Sequence, residues 1–255
     1  MNRTEYLALF MDAETSDQKT ELIKAYLNAM NPDANFYLRE YDNVRGCKYT
    51  ITKRGESEGW DKPFGITSKV IEALHYAKEK HNGQLRDDGQ PYFKHILDVV
   101  DILIEDGSGW EDKLLAAALH DTLEDTDATY EELCEKFGED AAKTVKLLSK
   151  VPGEPFDEYM DRIFSDDGLD LRLPKKGDIS GFSRDPDHYR LVARAIKLAD
   201  RLANLRDLPY CGNPDKIKRY IDDTKRCFLQ RNISPALMNK IRSEVLKIEG
   251  SIWFT

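Results

Sequence analysis

EDKLLAAALHDTLED, residues 111–125, decides the fold class. Leu114, Leu115, Ala116, Ala117, Ala118 and Leu119 make the stretch apolar along most of its length. That pattern suits a helix buried among other helices. His120, Asp121, Glu124 and Asp125 then close it, an imidazole and three carboxylates within one turn. On this helix His120 and Glu124 are four residues apart, as are Asp121 and Asp125, and Asp121 and Glu124 are three apart. Such pairs stand about 5–6 Å apart at Cβ on neighbouring faces. Charge beside a core is costly unless it is paired or bound to a cation. Carboxylates at a helix C-terminus also face the negative end of the dipole, at a cost on the order of a few tenths of a kcal/mol each. A divalent cation would reverse that cost. A His-Asp pair alone is weak evidence, and an acidic surface turn is the competing reading of this segment.

Outward from this stretch the chain reads as helices from Thr67 onward. Thr67 can cap a helix through Val70, Ile71, Leu74 and Ala77. A second carries Phe93, Ile96, Leu97, Val100 and Leu103. Thr129-Tyr130-Glu131-Glu132 has capping-box spacing and opens a helix that Phe137-Gly138 ends. EDAAKTVKLLSKV (139–151) follows. Residues 167–187, rich in Gly, Pro and Asp, interrupt as a long loop insertion or lid. Helical periodicity returns in YRLVARAIKLADRLANLRDL, PDKIKRYIDDTKRCFL and PALMNKIRSEVLKIEGSIWF. The beginning differs: a helix over 17–30, then two short strands around Asn43-Val44-Arg45-Gly46, and a linker at 55–65. The expected fold is mainly α, a helical bundle with a small N-terminal α+β appendage. Residues 1–62 form the appendage and linker, 63–230 the main domain and 231–255 a C-terminal helix.

Two further segments bear on the acidic turn. GQLRDDGQPYFKH (83–95) places His95 in the first turns of a helix that Pro91 helps start. IKLADRLANLRD (196–207) places Asp200 on a helix whose other face is Ile196, Leu198, Leu202 and Leu205, with Asn204 one turn on. The blocks GQxRxxGxPYxxH, LHDxxED, the Phe-Gly helix end and IKLADRLxNLRDL together resemble the HD-superfamily hydrolase domain of RelA/SpoT homologues. These degrade the alarmone (p)ppGpp. Order and spacing are most similar to the small single-domain hydrolases, over about residues 66–230.

The resemblance implies an HD-domain helical bundle and a fixed set of roles. His95, His120, Asp121 and Asp200 would bind one divalent metal ion, typically Mn²⁺. Glu124 and Asp125 would sit beside the attacking water. Arg86 and Asn204 would contact the nucleotide. Two imidazoles and two carboxylates suit a borderline-hard divalent ion. Dinuclear relatives use two more histidines before the final Asp, but only His188 lies in that interval here, which favours one metal. His81 is read as structural, His75 as a core or surface residue and His188 as a helix-start residue. Lys150, Lys197, Arg201 and Arg206 are candidate phosphate partners, and Lys197 and Arg201 flank Asp200. Lys175-Lys176 read as a solvated pair.

One position departs from the family. A basic residue usually follows the loop arginine, and here Asp87 and then Asp88 stand there. That weakens attraction for a polyphosphate and keeps other substrates open: ppApp, a deoxynucleotide, or the 2′-phosphate of NADPH. A third class is a catalytically silent, nucleotide-binding regulatory module. The net charge of −9 over 255 residues argues against general nucleic-acid binding. No apolar run approaches the roughly 20 residues that span a bilayer, and no signal peptide is read. Cys47, Cys134, Cys211 and Cys227 have no paired spacing, so free thiols in a reducing cytoplasm are expected. No stretch outside the hydrolase region is long enough for a synthetase domain. Trp253 and Phe254 would allow homo-oligomerisation.

Overall fold

The computed structural model describes residues 68–106, 110–165, 188–231 and 233–252, the backbone of 36–39 and 50–53, and position 18. The described part is mainly helical, as expected of an HD domain. It divides between Leu119 and His120 into two units.

In the first unit, α1 (Ser68–Lys80) and α2 (Tyr92–Glu105) both pack on α3 (Glu111–Leu119). Every residue from Leu114 to Leu119 is buried, which answers to the apolar surface of α3. Val70, Ala73, Leu74 and Ala77 are buried on α1, and Ile96, Leu97, Val100 and Leu103 on α2. Each leucine or isoleucine so enclosed contributes on the order of 1.5–3 kcal/mol. Between α1 and α2 the chain folds back on itself. The Arg86 N–H donates to the Gln90 carbonyl, and the Tyr92 N–H to that of Gln84. Asp88 Oδ1 accepts the Gln90 N–H at 3.0 Å, so this aspartate has a turn-forming task. Pro91 precedes α2 directly, where its fixed φ and missing N–H cost the helix little.

Strands β1 (Phe36–Arg39) and β2 (Thr50–Lys53) pair antiparallel, with Phe36 opposite Lys53 and Arg39 opposite Thr50. The helix expected over 17–30, the turn, the linker, the Thr67 cap, the 167–187 insertion with Lys175-Lys176, and Trp253 and Phe254 fall outside the described residues.

The second unit contains α4 (Thr122–Asp125), α5 (Tyr130–Phe137), α6 (Glu139–Leu148), α7 (Phe156–Phe164), α8 (His188–Asp207), a 3₁₀ turn (Leu208–Cys211), α9 (Pro214–Cys227) and α10 (Pro235–Ile252). Helix α8 is its axis. It packs against α6, α7, α10 and the 3₁₀ turn, while α4 and α5 lie on α6. Ile196, Leu198, Leu202 and Leu205 are all buried, as expected for the apolar face of α8. Two expectations change. The helix read over 111–125 is broken: α3 ends at Leu119, and α4 begins at Thr122 after a turn at His120-Asp121. Glu124 and Asp125 therefore belong to a new one-turn helix, and the dipole cost assigned to them lapses. Helix α7 was not expected at all.

Caps behave as their residue types require. Thr129 Oγ1 accepts the Glu132 N–H at 3.2 Å to open α5. Gly138, which ends it, takes φ +95°, a region nearly closed to residues with a Cβ. Gly138→Ala is expected to lower unfolding free energy by about 1–2 kcal/mol, measured by urea titration with an unchanged m-value.

Candidate active site

In the first unit, the His95 side chain is buried near the start of α2. The Tyr92 ring meets it edge-on at 5.7 Å and stacks on His81 at 4.7 Å. His81 Nδ1 is hydrogen-bonded to Gln84 Oε1 at 2.8 Å. His81 thus anchors the ring against which His95 rests, a structural task. His75 is exposed, and Arg86 is half-buried in the fold-back loop beside exposed Asp87.

In the second unit, His120 is buried and its Nε2 lies 2.9 Å from Asp121 Oδ2. The turn between α3 and α4 thus presents a histidine–aspartate pair of the kind that can ligate a metal. On α8, Asp200 is 7% exposed, and both its oxygens are engaged. Lys197 Nζ reaches Oδ2 at 2.9 Å, and Asn204 Nδ2 donates to Oδ1 at 2.5 Å. The i+3 and i+4 positions of one helix put both donors on the carboxylate.

Glu124 has an exposed surface, but its Oε2 accepts the Lys150 N–H at 2.8 Å. Loss of hydration raises its carboxyl above the ordinary value. Asp121 and Asp125 add to this, while the Lys150 N–H and the Lys197 charge oppose it. Burial alone would push Lys197 down, but the Asp200 carboxylate and Tyr159 overcome that and hold it above the usual lysine range. Burial raises the Tyr159 phenol, and that phenol also feels Lys197, Asp200 and Glu124. Asp121, Glu124, Lys197, Asp200 and Tyr159 therefore share one electrostatic environment, joining the turn before α4 to the middle of α8.

The other expected phosphate partners lie elsewhere. Arg201 is buried with its Cζ 4.0 Å from the Tyr220 ring centroid, 4.4 Å from Phe228 and 5.4 Å from Phe156. Its guanidinium packs α7, α8 and α9 together, although sequence spacing set it beside Asp200. Arg206 and Lys150 are exposed, and so is Asp125 at the end of α4. His188 begins α8.

Tyr159, Arg162 and Glu154 were missed. The signal was present in PFDEYMDRIF (155–164): Phe156, Tyr159, Met160, Ile163 and Phe164 repeat at helical spacing after a proline. Arg162 holds Glu154 through two bonds of 2.8 Å and donates to the carbonyls of Leu147 and Ser149 at 2.8 and 3.0 Å. The Tyr159 hydroxyl donates to the carbonyl between them, that of Leu148.

A histidine–aspartate turn and a downstream helical aspartate, in a helical bundle, define an HD-domain protein. The HD domain family model matches residues 73–155. The zebrafish (Danio rerio) guanosine-3′,5′-bis(diphosphate) 3′-pyrophosphohydrolase MESH1 is 34% identical over 148 residues, covering 57% of this chain and 72% of that protein. The Xenopus tropicalis MESH1 is 37% identical over 145 residues, 56% of this chain and 70% of that one. The Aquifex aeolicus pyrophosphohydrolase is 34% identical over 169 residues, and the match takes in 63% of this chain but only 20% of that longer protein. The structure of a metazoan orthologue of SpoT that hydrolyses ppGpp aligns with TM-score 0.55 and 28% identity, over 72% of this chain and 97% of that one. The chain belongs to the MESH1/SpoT family of HD-domain pyrophosphohydrolases.

The Arg162 guanidinium holds Glu154 at about 2, below its ordinary 4.5. The carboxylate is therefore bound more tightly in the folded protein. Its contribution is complete above pH 4.5 and is lost as pH falls toward 2. Denaturation midpoints should drop across that window, and Glu154→Gln should flatten the drop. An unchanged slope would remove Glu154 from the acid response.

Proposed function

We propose that this chain is a metal-dependent (p)ppGpp 3′-pyrophosphohydrolase, releasing pyrophosphate and GDP or GTP. The observation that carries the reading is the cluster Asp121–Glu124–Lys197–Asp200 beside His120, in a chain whose MESH1 relatives are named for this reaction. The proposed catalytic domain is residues 63–230, with the 167–187 segment as an insertion, residues 1–62 as an α+β appendage and 231–255 as a terminal helix.

The proposed metal ligands are His95, His120, Asp121 and Asp200, holding one divalent ion, with Mn²⁺ the proposed identity. His95 and His120 have imidazole nitrogens to offer, and Asp121 and Asp200 carboxylate oxygens. Mixed imidazole and carboxylate donors fit a first-row divalent ion better than Mg²⁺ or Ca²⁺, which prefer oxygen alone. When bound, the ion supplies a lowered water pKa and polarises a phosphoryl oxygen.

The chain's own groups do the rest. With Oε2 occupied by the Lys150 N–H, Glu124 offers Oε1 to the attacking water. Its raised pKa suits a group that takes a proton and later returns it. Asp125 is proposed to orient the same water. The water oxygen bonds to the phosphorus at the 3′ oxygen, the P–O3′ bond breaks, and the 3′ oxygen takes up a proton. Lys197 stabilises the charge that collects on the phosphoryl oxygens. Arg86, Asn204 and Arg206 are proposed to hold the nucleotide. Arg201 would bind a phosphate only by leaving its aromatic surroundings.

Asp87 favours a second reading, in which the same machinery acts on ppApp, a deoxynucleotide or the 2′-phosphate of NADPH. The test of both is a nucleotide panel with Mn²⁺-loaded protein. Pyrophosphate release from ppGpp is expected, abolished by chelator and restored by Mn²⁺. His120→Ala and Asp200→Asn should each lower kcat about a hundredfold or more. If wild type releases no more pyrophosphate than His120→Ala, the alarmone reading fails; metal-free protein that still binds nucleotide points to a silent regulatory module. Replacing Asp87 by Lys should lower KM for ppGpp about threefold to tenfold, more at low salt.

A further inference from the structure

Tyr159 stands outside every proposed metal and nucleotide contact, yet two parts of the site lean on it. It is 3% exposed, on the inner face of α7. Its ring lies against Lys197, whose Nζ is 5.0 Å from the ring centroid and 2.9 Å from Asp200 Oδ2. The Arg162 guanidinium also approaches the ring, at 5.3 Å, but is already neutralised by Glu154. The electron-rich ring face therefore serves Lys197. A lysine side chain is ordinarily mobile, with about 2 kcal/mol of rotamer entropy. Held between a ring and a carboxylate, this one has its charge fixed in advance. Asp200 takes one of three ammonium N–H groups and the Tyr159 hydroxyl oxygen a second, which leaves the third for an oxygen nearby.

We propose that Tyr159 is a positioning residue for phosphate-ester hydrolysis: its ring fixes the Lys197 ammonium so that Asp200 and a phosphoryl oxygen of the substrate share it. The proposal rests on the hydrolase reading above. The hydroxyl has a second task besides Lys197. The hydroxyl ties the end of α6 through the Leu148 carbonyl, where Arg162 supplies parallel ties. The hydroxyl oxygen also accepts from the Lys197 ammonium, while the ring face adds its own attraction at 5.0 Å.

The test is a double-mutant cycle on the full-length, Mn²⁺-loaded enzyme, read as kcat/KM for ppGpp. Tyr159→Leu should lower it about tenfold or more, the usual size of a lost preorganised charge placement. Tyr159→Phe, which keeps the ring, should stay within about threefold. In a Lys197→Met background, Tyr159→Leu should cost less than about twofold, because the group it positions has gone. Equal losses from Tyr159→Leu in both backgrounds would overturn the proposal, and so would a Tyr159→Phe loss as large as that of Tyr159→Leu. Melting curves check that each variant folds. If Tyr159→Leu does not, Tyr159→Met refills the volume without a π face and takes its place in the cycle. A wild type inactive on every nucleotide of the panel would sink the hydrolase reading and this inference with it; an active wild type with additive losses would sink this inference alone.

Discussion

The carbonyls of Leu147, Leu148 and Ser149, where α6 ends, cannot find partners within their own helix. Left buried without donors, each would cost on the order of 1–3 kcal/mol. Tyr159 and Arg162, three residues apart on α7, supply those donors. The segment that follows α6 is then held, and within it the Lys150 N–H is aimed at Glu124. One requirement of backbone chemistry thus fixes how α7 lies on α6 and which oxygen of Glu124 remains open. The device recurs one element later. Arg194 of α8 donates to the carbonyl of Ile163 at 3.1 Å and to that of Ser165, closing the end of α7. Helix α6 is thus tied to α7, and α7 to α8, each at the C-terminus of the earlier helix.

The two cations that flank Asp200 in sequence show how environment divides like residues. Lys197 keeps a carboxylate partner and remains half-buried in the site. Arg201 has no ion pair among the described residues and is surrounded by three rings, with the Thr224 hydroxyl at 3.5 Å. Burying a charge costs several kcal/mol. Desolvated cation–π contacts offset about 2 kcal/mol each, and three of them approach the cost. Arginine suits such a place because its delocalised charge is weakly hydrated.

What was legible in the sequence was local. Thr129, Phe137-Gly138 and the apolar face of α8 act through neighbours three or four residues away, and each behaves as its pattern predicts. The buried α3 was legible from composition alone. The break at His120-Asp121 was not, because a helix can run through LHDTLED without violating any local preference. Helix α7 carried a clear signal in PFDEYMDRIF but lay between two segments that drew attention as motif and loop. Arg201 escaped because spacing along one helix fixes which residues are neighbours, not which of the surrounding elements each will meet. Its partners Tyr220 and Phe228 come from distant sequence.

Asp87 and Asp88 look alike on paper but carry different weight. Asp88 accepts the Gln90 N–H inside the fold-back loop, so its presence is explained by the turn. Asp87 is exposed beside Arg86. Its carboxylate adds negative charge to the field that an incoming polyanion would meet beside Arg86. With a net charge of −9, long-range attraction cannot bring such a substrate in. On the proposed reading, binding then rests on short-range groups such as Lys197 and on the proposed metal ion. On that reading the chain separates two tasks that a basic loop would combine: capture at the rim, which Asp87 weakens, and charge stabilisation, which falls to Lys197.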